Sequence, residues 1–400
     1  MESSSTNKPK VRLTFIDMAR SIAIIMMLEG HMTGAALADE FRDDTYPIYS
    51  WWRFIHGITS PLFFTVSGVI FSYLLVSNDN ISFWKNNRVK KGFRRVIQLL
   101  FWGYFLQVNL LTVFKVVYTD IEYNTEWLNS FHVLQSIATG IFMLLAIYGL
   151  YKLLKVIPLY VLYIIGGVVI FTLNGYLENY IFVQKNLVAG GFIDYPQYYP
   201  HGAPSFIQNI IYGQYSEFSI VRFGGYTLFG GAIGALIKRY EYRIISISAS
   251  IAFIGAGLIA IRFMYPVLEW VDELLYAQRI ELLRVQIFNE PAMAGMGIIL
   301  MTLGVLILLN RFFIIPQNLF LKMGQNTLPI YILHVIILYE GIFGFGLYPS
   351  VINHNLNPYE SAMTSALFIG FFFVIVKYIE PLEELYRTFI RYLFLRKKED

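Results

Sequence analysis

The chain has 400 residues, 56% of them hydrophobic and 17% aromatic against only 14% charged, a balance that excludes an ordinary soluble domain of this size and indicates a polytopic membrane protein. Cysteine is absent, which excludes disulfides, thiolate catalysis and cysteine-ligated metal sites. The net charge of +4 is small and gives no support for a nucleic-acid partner; its distribution matters more than its size.

Taken in order, about ten apolar stretches are long enough to cross a bilayer, at roughly 13 to 37, 52 to 76, 96 to 118, 131 to 150, 157 to 175, 221 to 237, 244 to 264, 292 to 310, 325 to 344 and 362 to 380. The expected fold class is all-α, one polytopic membrane bundle over 1–400 with no appended soluble domain. Residues 1–12 are polar and basic without a cleavable leader pattern, so the first span is expected to be retained and this segment to be cytoplasmic. Basic residues fall on alternate connections: the stretch Lys85 to Arg95, then Lys152 and Lys155, then Lys238, Arg239 and Arg243, then Arg311 and Lys322, and finally the basic tail at 386–400. The intervening connections are mostly acidic, with Asp39, Glu40, Asp43 and Asp44, then Asp120, Glu122 and Glu126, then Glu269, Asp272, Glu273 and Glu281. This alternation places both termini in the cytoplasm, with a bacterial inner membrane as the best-fitting location.

Two outer connections exceed simple turns. Residues 178–220, rich in Tyr, Pro and Gly, suggest an ordered lid or rim. Residues 267–289 repeat apolar side chains near helical spacing between charges, as in a helix lying on the membrane surface.

Ionisable residues inside a span are costly and point to function. The first span carries Asp17, Arg20 and His31, and at about 100° per residue Arg20 and His31 stand roughly 20° apart on one stripe, separated by roughly 16 Å along the axis. His31 has the right intrinsic basicity for proton transfer near neutral pH, and Arg20 suits an anionic ligand. Asp17 and Arg20 are also placed to neutralise one another at the membrane interface. A membrane histidine often serves only as a helix-to-helix hydrogen-bonding group.

On the acceptor side, candidates are Glu29, Arg53, His56, Arg222 and His334, although Glu29 stands roughly 160° round from His31. His56, Ser60 and Ser67 form a polar line on the second span, where Ser60 and Pro61 also read as a helix kink. The basic cluster at the mouth of the third span satisfies the positive-inside rule and also suits a phosphate clamp, with Lys91, Arg94 and Arg95 best placed and Ser67 on the neighbouring span. Thr327, Tyr331 and His334 share one face of the ninth span, as packing glue or as part of a site. No phosphate-binding glycine loop with lysine, no HExxH and no metal-ligand spacing occurs, so no metal is expected.

The pattern of Asp17, Arg20 and His31 in IDMARSIAIIMMLEGH resembles the opening helix of the transmembrane acyltransferase superfamily, which includes the acyltransferase-3 proteins and the heparan-α-glucosaminide N-acetyltransferase-like proteins. SPLFFTVSGVIFSYLL at 60–75, KKGFRRVIQLLFWGYF at 90–105, HVLQSIA at 132–138, FGGYTLFGGAIGALI at 223–237 and MGQNTLPIYILHVIIL at 323–338 are similar to later family segments, in the same order. Ser21 departs from the glycine that commonly follows the family's arginine. The resemblance implies transfer of an acyl group, usually acetyl, from cytoplasmic acyl-CoA to a carbohydrate or lipid-linked glycan acceptor across the membrane. It implies His31 as base or acyl carrier, with Arg20 assisting the donor. Membrane lipids are the expected surroundings, and a homo-oligomer is left open. The rival reading is a secondary transporter or channel using the Asp17, Arg20 and His31 stripe for anion or proton handling.

Overall fold

In a bilayer the backbone has no water to bond, so an apolar run of this length satisfies itself as a helix. The computed structural model describes residues 13–77, 79–119, 126–188, 200, 202–277, 290–313 and 316–395. Its helices are α1 (Thr14–Ala36), α2 (Pro47–Gly57), α3 (Thr59–Val76), α4 (Asn87–Phe105), α5 (Leu110–Tyr118), α6 (Val133–Leu154), α7 (Leu159–Val188), α8 (Ser205–Ile211), α9 (Ile220–Tyr240), α10 (Ile247–Ala277), α11 (Glu290–Phe312), α12 (Leu319–Gln325), α13 (Thr327–Leu338), α14 (Leu347–Ser350) and α15 (Pro358–Leu395). No sheet forms among the described residues; β-pairing is limited to isolated bridges joining Leu37 to Leu356 and Asn109 to Ile342.

Among the described residues, six helices are long and apolar enough to cross a membrane: α2 taken with α3, α6, α7, α9, α11 and α15. The protein is an all-α integral membrane protein. The sequence count of about ten spans also includes α1 and α4, which are not among these six, and two shorter apolar helices, Ile247–Phe263 within α10 and α13.

α1 lies at the centre and packs against α3, α11, α12, α13 and α15. Without a hydrophobic driving force between helices in lipid, close approach through small residues takes its place. A Cβ on Gly68 of α3 would fall 2.1 Å from the Thr227 carbonyl oxygen, and one on Gly230 of α9 would fall 2.0 Å from that of Thr65, so α3 and α9 meet backbone to backbone. Large apolar side chains such as Ile97, Phe101 and Leu367 stay exposed, as a surface bathed in lipid permits.

Several spans differ from their sequence outlines. The second is interrupted at Ile58, between α2 and α3, so Pro61 falls in the first turn of α3, where its missing N–H is not needed. The third breaks at 106–109, where the Asn109 side chain accepts from the Thr112 backbone N–H at 2.9 Å and caps α5. The ninth divides into α12 and α13 at Asn326. Residues 267–277 continue α10 rather than starting a separate surface helix, while 278–289 lie outside the described residues. So do residues 1–12, most of the tyrosine- and proline-rich part of the 178–220 connection, and the last five residues of the basic tail.

Candidate active site

The N-terminal half of α1 is clasped by the junction of α12 and α13. Ser21 is fully buried; its hydroxyl donates to the Asp17 carbonyl at 2.9 Å and accepts from the Gly324 backbone N–H at 3.1 Å. Gln325 Nε2 donates to Asp17 Oδ2 at 3.1 Å, and Arg20 donates to Thr327 Oγ1 at 3.3 Å. Asp17 thus ties helices together, while Arg20 faces a cavity of about 160 Å³ that it shares with Ser67 of α3, Arg95 of α4 and Thr327. The rest of this arginine cavity is apolar, and no carboxylate lines it among the described residues.

The C-terminal half of α1 faces a second cavity, of about 660 Å³, lined by His31 together with His132, Gln135, Glu217, His334 and Tyr339. Their positions follow from the interruptions in the helices. Gln107 and Asn109 enter this histidine cavity from the break between α4 and α5, Ser130 and His132 from the segment leading into α6, Glu217 from the connection before α9, and Tyr339 and Glu340 from just beyond α13. Tyr331 and Leu134 line both cavities and form the wall between them.

His31 is fixed from two sides. Its Nδ1 is 2.8 Å from the Tyr339 hydroxyl, and its ring stacks on that of His334 with centroids 5.2 Å apart. Tyr331 meets His334 edge-on at 4.9 Å, and His334 is buried with an Nδ1 that makes no hydrogen bond of standard geometry. His31 also borders a smaller cavity of about 120 Å³ that it shares with His56, Ser60 and Phe63. The His56 ring stacks on Trp52 with centroids 5.2 Å apart and covers Gly30, where a Cβ would fall 1.5 Å from the ring. That contact explains the glycine before His31.

At the rim, His132 Nδ1 lies 3.2 Å from Glu217 Oε2. This hydrogen bond holds the Glu217 carboxyl below its ordinary carboxylate range, so it is ionised at neutral pH.

Of the sequence candidates, the structure gathers Arg20, Arg95 and Ser67 at one cavity and His31 and His334 at the other, with His56 beside His31. Lys91 and Arg94 are exposed on α4 and stand off the described cavity walls. Glu29 accepts from Trp52 Nε1 at 2.9 Å and from Thr33 Oγ1 at 2.8 Å, holding α2 against α1. Arg53 pairs with Asp44 at 2.7 Å at an exposed position, and Arg222 is exposed in the first turn of α9. The sequence reading did not single out Tyr339, Glu217, Gln107 or Gln135. Gln135 carries the clearest signal of these, as a carboxamide inside an apolar helix. Among the described residues, no group of three or more His, Asp or Glu side chains is placed to hold a metal ion.

No curated protein and no solved structure matches the chain significantly. The family whose description is "Acyltransferase domain" matches residues 13–379, a range that contains every residue of both cavities. The chain therefore belongs to the acyltransferase-3 family and is a membrane acyltransferase.

Proposed function

We propose that the protein moves an acyl group, acetyl in the simplest case, from cytoplasmic acyl-CoA to a hydroxyl or amine of an extracytoplasmic carbohydrate or envelope glycan. The bundle crosses a bacterial inner membrane about ten times with both termini in the cytoplasm, so the arginine cavity faces inward and the histidine cavity outward. The observation that carries this reading is the position of His31, on the outer cavity and one wall away from a cavity holding two arginines.

The arginine cavity fits a donor with anionic and amide groups: Arg20 and Arg95 supply donors, and among the described residues no carboxylate lines it. When bound, acyl-CoA supplies the activated thioester. In the tautomer whose Nδ1–H donates to the Tyr339 hydroxyl, 2.8 Å away, Nε2 of His31 is the atom that acts as base. Nε2 takes the acceptor proton while the acceptor oxygen or nitrogen bonds to the acyl carbon. The carbon–sulfur bond breaks, and the proton passes from the imidazole to the departing sulfur. Such general base catalysis contributes about 10²- to 10⁴-fold. Tyr331 and Leu134 between the cavities limit water, which would otherwise take the acyl group.

The test is transfer of labelled acetyl from acetyl-CoA by purified protein in liposomes, with extracted envelope glycans as acceptors, comparing the native chain with His31→Ala. Label on the glycan only when His31 is present is the expected result. Neither transfer nor CoA release from either protein, across a range of acyl donors and with folding confirmed, moves the reading to transport.

A further inference from the structure

Glu217 and Glu340 place their carboxyl groups on the wall of the histidine cavity, and among the described residues no lysine or arginine joins them there. A second feature of the same wall is independent of charge. Gln107 and Gln135 both donate an Nε2 hydrogen to one backbone oxygen, that of Ser130, at 3.0 and 3.3 Å. Both Oε1 atoms are then left without a hydrogen-bond partner, although Gln135 is fully buried. A buried acceptor without a donor is unfavourable until something supplies one. A carboxylate and two carboxamide oxygens share one requirement: each accepts and none repels a hydroxyl or an ammonium.

We propose that this cavity binds a sugar unit rich in hydroxyl or amine donors and free of carboxylate, phosphate or sulfate, with Glu217, Gln107 and Gln135 as its hydrogen-bond acceptors. Selectivity against an anionic sugar comes from Glu217, which meets it with like charge, while among the described residues no lysine or arginine lines the cavity to offset it. The proposal rests on the acyltransferase reading in that the bound unit is the acyl acceptor. Recognition itself does not depend on transfer, so the two are separable by experiment.

The test measures sugar binding to the full chain in lipid nanodiscs without any acyl donor, by saturation-transfer NMR titration. Three probes with the same ring are compared: methyl glucoside, glucosamine and glucuronate. Glucuronate is expected to bind at least about 10-fold more weakly than methyl glucoside, with glucosamine equal or tighter. Glu217→Lys reverses the order of glucuronate and glucosamine, Glu217→Gln narrows the gap, and Gln135→Leu weakens all three alike. Glu217 is exposed at the cavity wall, so its replacement leaves the helix packing intact. Equal binding of glucuronate and methyl glucoside, an order unchanged by Glu217→Lys, or no binding of any probe overturns the proposal. The expected order without acyl transfer from any donor keeps the proposed recognition and removes the acyltransferase reading.

Discussion

The two cavities that meet at Tyr331 and Leu134 have opposite electrostatic character. Among the described residues, one is lined by two guanidinium groups and no carboxylate, whereas the other is lined by two carboxyl groups and no lysine or arginine. Tyr331 and Leu134 line both cavities and lie between them. On the proposed function charge sorts the two substrates, because like charges brought together away from water cost several kcal/mol. The proposed anionic donor and the proposed uncharged or cationic acceptor are then each favoured on one side and disfavoured on the other. On the proposed function, substrates from opposite faces can therefore meet without exchanging places.

The strongest way to break this comparison is to remove the proposed base on the wall of the histidine cavity. His31→Ala is expected to lower kcat for acyl transfer by about 10²- to 10⁴-fold, the range of general base catalysis, with little change in either substrate's binding. A variant that keeps more than a tenth of the native rate refutes the role given to His31. Next in size, Arg20→Ala and Arg95→Ala should raise KM for the donor by roughly 10- to 100-fold, the usual loss for a hydrogen bond to a charged group, while leaving acceptor KM within about twofold. Equal effects on both substrates would mean that the cavities do not divide the substrates as described.

Tyr339→Phe tests the orientation of His31. Loss of one neutral hydrogen bond predicts a fall in kcat of about 2- to 10-fold, with the pH profile displaced because Nδ1 loses its partner. The smallest effects are expected at the surface. Lys91→Ala and Arg94→Ala, exposed and off the cavity wall, should change donor KM by less than about threefold, and the change should vanish at high salt.

pH sharpens the comparison further. The His132 hydrogen bond lowers the Glu217 pKa, so the carboxylate and its preference against anionic sugars persist above the ordinary carboxylate range and disappear only as pH falls through the lowered value. Sugar selectivity should therefore stay flat from about pH 5 to 8, as read from titrations with the three probes. A loss of selectivity already at about pH 6 would point to a histidine rather than Glu217 as its source.

The sequence makes the α1 half of this site legible for a simple reason: in an apolar run, Arg20 and His31 are costly unless they do something, and helical geometry puts them on one stripe. The facing residues are harder to read. Glu217 and Tyr339 lie outside the helices, and only tertiary structure carries them to His31. The break at 106–109 is similarly hidden, because 96–118 is apolar enough to pass for one uninterrupted span. Ser21 shows the reverse case. Its departure from the family's glycine looks like a weakness in the pattern, yet in the fold its hydroxyl links α1 to Gly324, where a Cβ would fall 2.6 Å from the Asp17 carbonyl oxygen.

The two walls also differ in where they come from. Arg20, Ser67 and Arg95 sit within α1, α3 and α4, so each is constrained by packing on its neighbours, whereas His132, Glu217, Tyr339 and Glu340 come from connecting segments. Connections tolerate substitution and insertion far better than packed helices do. On the proposed function, acceptor choice can therefore drift between descendants of this chain while donor use stays fixed, so one ancestral scaffold can give rise to enzymes that act on different acceptors.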